Sequence, residues 1–128
     1  MTKAGNLDKI SAEIGFDLAE TFKNKNDAEK LETIVTKALG ILIEDGLFAY
    51  TIWLESRGNR ERKYAAEILN KSLDLLKDER IKLVNDGKLR DAILGISENI
   101  QKTLLARQLL ERMLVYARYR AKALQKEG

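Results

Sequence analysis

Ser97-Glu98-Asn99-Ile100-Gln101-Lys102-Thr103-Leu104-Leu105-Ala106-Arg107-Gln108-Leu109-Leu110-Glu111-Arg112-Met113-Leu114-Val115-Tyr116-Ala117-Arg118-Tyr119-Arg120-Ala121-Lys122-Ala123-Leu124 is a run of 28 residues without a proline or a glycine. Such a run predicts one long helix, capped within Ser97-Glu98-Asn99-Ile100 and reaching about 42 Å at 1.5 Å per residue. At 100° per residue, Leu105, Leu109, Leu110, Met113, Tyr116, Ala117 and Leu124 fall on one arc, the expected core face. The opposite arc aligns Arg107, Arg118 and Lys122, flanked by Arg112 and Lys126, with Glu111 as its one acid and Tyr119 on the same side. A ridge of this kind can track a phosphate backbone, because each cation replaces a condensed counterion. An aromatic ring among arginines can stack on an unpaired base. The plainer alternative is a solvated face whose Tyr119 packs on a neighbouring helix. Arg120 falls inside the apolar arc, where it snorkels, pairs with a buried carboxylate or reaches a partner chain. Leu104 and Val115 are apolar residues on the basic side, a mixture typical of an interface.

The same period organises the rest of the chain. Leu7, Ile10, Ile14, Leu18 and Phe22 form one stripe of a first helix from about Leu7 to Lys23, with Asn6 as cap and Phe16 on the far side. After the turn Asn24-Lys25-Asn26-Asp27, with Asp27 as cap, a second helix is expected from Ala28 to Glu44. Asp45-Gly46 breaks it. Leu47 to Ser56 is apolar nearly all round, as for a central helix. A basic turn, Arg57, Arg60, Arg62 and Lys63, precedes a helix expected from Glu61 to Val84 and closed by Asn85-Asp86-Gly87. A short helix over Leu89–Leu94 leads into the long one. The expected core is Ile14, Leu18, Ile34, Leu42, Leu47, Ile52, Trp53, Ile68, Leu76, Leu109, Met113 and Tyr116. The fold class is therefore all-α: one domain over residues 1–128, a bundle of five to six helices with a long basic C-terminal helix, and residues 1–5 and 125–128 frayed.

Composition agrees. The chain has 128 residues and no proline, so helices are free to run long. It has no cysteine, no 18-residue apolar run and no apolar core near Met1, so a cytoplasmic protein is expected. The net charge of +3 is uneven: residues 1–50 carry 6 basic and 9 acidic side chains, residues 100–128 carry 7 and 2. A basic end on a near-neutral body points to a polyanionic partner for that end.

Enzyme chemistry is disfavoured by residue type. There is no histidine, hence no Ser-His-Asp arrangement, no imidazole zinc ligand and no paired Glu-x-x-His of a di-iron bundle. The glycines form no phosphate-cradling loop. The expectation is a protein that is not an enzyme and carries neither metal nor cofactor. A stand-alone DNA-binding domain would need a recognition helix after a tight turn, and Leu89–Leu94 is too short and apolar for it.

Two segments carry a family resemblance. One is Lys37-Ala38-Leu39-Gly40-Ile41-Leu42-Ile43-Glu44-Asp45-Gly46-Leu47-Phe48-Ala49-Tyr50-Thr51-Ile52-Trp53-Leu54; the other is residues 109–124 of the long helix. Together they resemble the small helical subunit of the type III-B CRISPR effector, the Cmr complex. In that family an apolar helix, an Asn-Gly-Leu break and a second apolar helix precede a long terminal helix rich in aromatics and arginines. Here Asp45-Gly46-Leu47 stands for the break, with Asp for Asn, and Arg118 and Tyr119 fit the terminal pattern. The first helix has Ile10 and Ser11 where the family often has arginine, and residues from about Arg60 to Gly95 match only in being helical. The type III-A counterpart is similar in size and helical content.

The resemblance implies a non-catalytic subunit of an antiviral ribonucleoprotein. Its partners would be the backbone and large effector subunits, copies of itself along a filament, and guide and target RNA. Membranes and small-molecule substrates have no part in it. On that reading Arg107, Arg112, Arg118, Tyr119 and Lys122, with Arg57, Arg60, Arg62 and Lys63, are RNA-facing candidates. Phe16, Leu104, Val115 and Arg120 are candidates for subunit contact. The competing expectation is a helical adaptor or antitoxin-like module with one protein partner and no RNA role.

Overall fold

Asn24 and Asn99 each start a helix by the same device. The Asn24 Oδ1 accepts the Asp27 amide at 2.8 Å and the Asn99 Oδ1 accepts the Lys102 amide at 2.9 Å, satisfying donors that have no carbonyl one turn back. Asn24, and not Asp27, is thus the cap of the second helix. Its extended backbone (φ −71°, ψ 153°) obliges the first helix to stop before it.

The computed structural model describes residues 3–85 and 87–127. Six helices lie among them: α1 (Lys3–Glu20), α2 (Lys25–Asp45), α3 (Leu47–Glu55), α4 (Arg62–Lys77), α5 (Leu89–Ile96) and α6 (Ile100–Glu127). The all-α bundle expected from the sequence is the one observed. Two end assignments shift. Asn6 lies inside α1 and caps nothing, and residues 3–5 and 125–127, expected to fray, are helical. Met1, Thr2, Gly128 and, within the expected closing turn of the fourth helix, Asp86 lie outside the described residues.

The α6 helix is the spine. The α1 and α2 helices pack along its two flanks, and its buried face is Ala106, Leu109, Leu110, Met113, Leu114, Ala117, Ala121 and Leu124. The approach of α1 is close because its facing residues are small. Ser11, Gly15 and Ala19, four apart, are all buried, and the Ser11 hydroxyl donates to the Leu109 carbonyl across the seam at 3.3 Å.

The Gly46 residue separates α2 from α3 at φ +95°, a conformation that L side chains rarely adopt, and its amide closes α2 on the Ile41 and Leu42 carbonyls. Buried between α3 and α4, the Tyr50 and Ser72 hydroxyls meet at 2.7 Å, while the Ser72 hydroxyl also reaches the Ile68 carbonyl at 2.7 Å. Ser72 has one proton and gives it to Ile68, so Tyr50 is the donor to Ser72.

Three sequence expectations are corrected here. Helix α4 ends at Lys77, seven residues before Val84. Asp78 turns extended (φ −50°, ψ 137°), its carboxylate gathers the Arg80 amide and guanidinium at 2.9 Å, and Lys82 adopts φ +52°. The Leu83 and Val84 amides then return to the Leu76 carbonyl, so Leu83 packs on the core from a loop. Ile52, expected in the core, is 38% exposed beside Phe48 on the outer side of α3. A helix apolar all round has no amphipathic signal to say which side faces in. Ile14, Trp53 and Tyr116 are half-buried, while the other eight expected core residues are buried.

Candidate functional site

The outward face of α6 carries Leu104, Gln108, Arg112, Val115, Arg118, Tyr119, Lys122 and Lys126, opposite the buried stripe. Folding gives two of its four cations, Arg112 and Lys122, partners that lie on other helices. Arg112 pairs with Asp8 of α1 at 3.0 Å, and the Tyr116 hydroxyl donates to the other oxygen of that carboxylate at 2.8 Å. Accepting that bond, the Asp8 carboxylate raises the Tyr116 pKa. Lys122 lies 3.7 Å from Glu32 of α2, whose second oxygen accepts the Gln125 amide.

Arg107 does not belong to a free ridge. It is half-buried, bonds Glu111 at 3.1 Å and donates to the Ile43 carbonyl at 2.6 Å near the C-terminus of α2. That carbonyl sits at the negative end of the helix dipole, where a guanidinium is stabilising. Arg120 also has an internal role. It joins Glu20 at the end of α1 to Glu127 at the end of α6, and its hydrogen bond lowers the Glu20 pKa. Of the three readings open for Arg120, pairing with a carboxylate is the one observed; the carboxylate is half-buried.

Arg118 stands apart. It is half-buried, its Nε is buried without a hydrogen-bond partner, and it makes no ion pair among the described residues. Such a group forfeits its hydration without recompense in the fold. Next to it Tyr119 is 63% exposed and makes no ring contact among the described residues.

Beside these residues a groove of about 460 Å³ is lined by Gln108, Glu111, Arg112, Val115, Tyr116 and Tyr119. Val115 is therefore half-buried as part of its lining and is not a lone surface residue. Phe16, 43% exposed as its position on the far side of the α1 stripe implied, stands edge-on to Tyr116 at 5.9 Å between ring centres.

The second basic cluster divides in the same way. Arg57 bonds the Trp53 carbonyl, lies 4.0 Å above the Trp53 ring and pairs with Glu61. Lys63 pairs with Asp27 at 3.1 Å. Arg60 and Arg62 are exposed and show no partner among the described residues. Parts of the two clusters, Lys63 and Lys122, lie toward one end of the bundle, whereas Arg107 reaches Ile43 at the other end of α2. Lys63 anchors on Asp27 and Lys122 on Glu32, five residues or about 7.5 Å apart along α2.

Six of the exposed large apolar side chains come from the elements at the other end: Ile43 of α2, Phe48 and Ile52 of α3, Leu94 of α5, and Ile100 and Leu104 of α6. Leu104 belongs to this group and not to the cationic surface. Asp8, Glu20 and Glu32, the carboxylates that engage α6, carry no mark in its own sequence, since each lies 90 or more residues from the α6 cation it pairs with.

No helix of the described residues is long and apolar enough to cross a membrane. No group of three or more carboxylates that could hold a metal ion occurs among them. Comparison with known protein families, curated proteins and solved structures returns no match for this chain.

Proposed function

We propose that the chain is a non-catalytic, cytoplasmic small subunit of a type III CRISPR effector ribonucleoprotein. In this role it contacts guide or target RNA phosphates through the outward face of α6 and its neighbours through the apolar end of the bundle. The observation that carries the reading is Arg118. Beside the exposed Tyr119, and in a fold that pairs Arg107, Arg112, Arg120 and Lys122 internally, Arg118 has no ion pair among the described residues; its Nε is closed to solvent, and its terminal nitrogens are the atoms left for an external anion. Arg118 and Lys126, with Arg60 and Arg62, form the phosphate-binding set, joined by Lys122, which is exposed and lies no closer than 3.7 Å to Glu32. Sequence is read by base pairing between guide and target, because cation–phosphate contacts carry no sequence information. Phe48, Leu94, Ile100 and Leu104 supply apolar surface for filament neighbours or for the backbone and large subunits.

The apolar end also favours a second reading, a helical adaptor or antitoxin-like module that binds one protein and no RNA. Mild affinity purification from the native host separates the two. Recovery of a large particle with other effector subunits and short guide RNAs is the expected result. Recovery of one unrelated protein without RNA would sink the first reading and leave Arg118 as ordinary helix surface. A second discriminator is salt: phosphate contacts predict that log K falls with log salt at a slope of about −0.7 per contact for single strands, and adaptor binding through apolar surface does not.

A further inference from the structure

We propose that the groove lined by Gln108, Glu111, Arg112, Val115, Tyr116 and Tyr119 receives an unpaired base of single-stranded RNA, stacked on the Tyr119 ring. This rests on the RNA-contacting role just proposed and adds to it a contact with the base itself.

The groove has the parts such a site needs. Tyr119 offers an exposed ring with no competing partner inside the fold. Two α-helical turns away, about 10.5 Å along the axis, Arg112 presents a planar guanidinium held at 3.0 Å by Asp8. Val115, midway between them, lines the space with apolar surface. Tyr116 forms a wall that cannot swing in to fill the space: its hydroxyl is tied to Asp8 and its ring is met edge-on by Phe16. A cleft held open before its ligand arrives loses less ordering entropy on binding.

The chemistry favours a nucleobase over other occupants. Base–aromatic stacking needs a flat face, which Tyr119 provides, and guanidinium planes stack on bases as well. Gln108, at the rim, has no hydrogen bond within the described structure, so its amide can donate to and accept from a base edge. The two carboxylates at the groove are engaged, Glu111 by Arg107 at 3.1 Å and Asp8 by Arg112 and Tyr116, and the charges that follow Tyr119 along α6 are of the sign a strand requires. Lys122 and Lys126 follow Tyr119 at intervals of three and four residues on the same face, and Arg118 adjoins it. A base on Tyr119 therefore places its flanking phosphates over cations. A base already paired and stacked in a duplex cannot enter, so the strand passing α6 is single-stranded at this point.

The test uses the full chain and two fluorescently labelled RNAs of equal length, one normal and one with abasic riboses throughout, which carry the same phosphates. Tyr119→Ala is expected to weaken binding of the normal strand by roughly 5- to 150-fold, the range of base–aromatic stacking losses, and to leave the abasic strand unaffected. Tyr119→Phe, which keeps the ring, should bind as the parent does. Circular dichroism checks that the exposed substitutions leave the fold intact. Equal affinity of Tyr119→Ala and the parent for the normal strand overturns the base site, and so does an equal loss on both strands. If Arg118→Glu still weakens binding in those cases, the phosphate-contacting role stands without the base site. A parent chain that binds neither strand overturns the RNA-contacting role itself.

Discussion

Gly15 of α1 and Met113 of α6 meet backbone to backbone: a Cβ added at Gly15 would stand 2.5 Å from the Met113 carbonyl oxygen and 3.1 Å from the Ala117 nitrogen. Neither atom can retreat without unwinding α6, the helix on which both α1 and α2 rest. Gly15→Ala would gain up to about 1 kcal/mol of helix propensity, yet overpacking a site bounded by backbone costs about 1–3 kcal/mol. Net destabilisation is expected. Gly40, in the exposed middle of α2 with nothing within 4 Å of an added Cβ, sets the contrast. Gly40→Ala should stabilise by about 0.5–1 kcal/mol. Urea unfolding of both variants checks the pair, and equal signs would contradict the close approach.

The buried Tyr50–Ser72 bond predicts an asymmetry. Ser72→Ala strips the Tyr50 hydroxyl of its acceptor in a site without water access and should cost about 1–3 kcal/mol. Tyr50→Phe leaves Ser72 still bonded to the Ile68 carbonyl and should cost less. The double variant should resemble Tyr50→Phe rather than the sum of the two losses, which a double-mutant cycle by chemical denaturation measures.

Stability should fall at both ends of the pH scale through one contact. The Tyr64 hydroxyl, then Lys63 and Asn24, hold the Asp27 carboxyl below the usual aspartate range, so its contribution is complete at neutral pH and is lost as pH falls below about 4. Burial, then the bond to Asp27, pushes the Tyr64 hydroxyl up to about 12. Its contribution is complete below about pH 10 and disappears as pH rises through about 12. Asp27→Asn should flatten the acid limb in a series of thermal melts, and an unchanged limb would remove Asp27 from it.

Arg118 should separate binding from stability. Arg118→Met removes a buried nitrogen that has no partner, so the unfolding free energy should stay within about 0.5 kcal/mol of the parent, on the stabilising side. RNA affinity should drop, with the salt slope shallower by about 0.7. A clear loss of stability in the melt would mean that Arg118 serves the fold instead.

These contrasts follow the boundary between local and tertiary information. The first, second and sixth helices were legible in outline from apolar spacing at three and four residues, because a helix face repeats within a few turns of chain. The fourth was read too long. Its apolar spacing continues past Lys77, and what ends it is the Asp78–Arg80 contact together with the return of Leu83 and Val84 to Leu76, neither of which leaves a periodic trace. The α3 helix shows the opposite limit, since a segment apolar on every side is recognisable as a helix while Ile52 and Tyr50 cannot be told apart as outside and inside.

For the candidate site, the residue types and their face were present in the sequence: α6 is long, basic and carries Tyr119 opposite its core stripe. Which of its charges stay available was not. Asp8, Glu20 and Glu32 come from helices far away in the chain, and only packing brings them to Arg112, Arg120 and Lys122 while leaving Arg118 without a carboxylate. Helical periodicity is a property of neighbouring residues and can be read along the chain. The state of a charge depends on groups within a few ångströms in space, and those are assembled only when α1 and α2 close on α6.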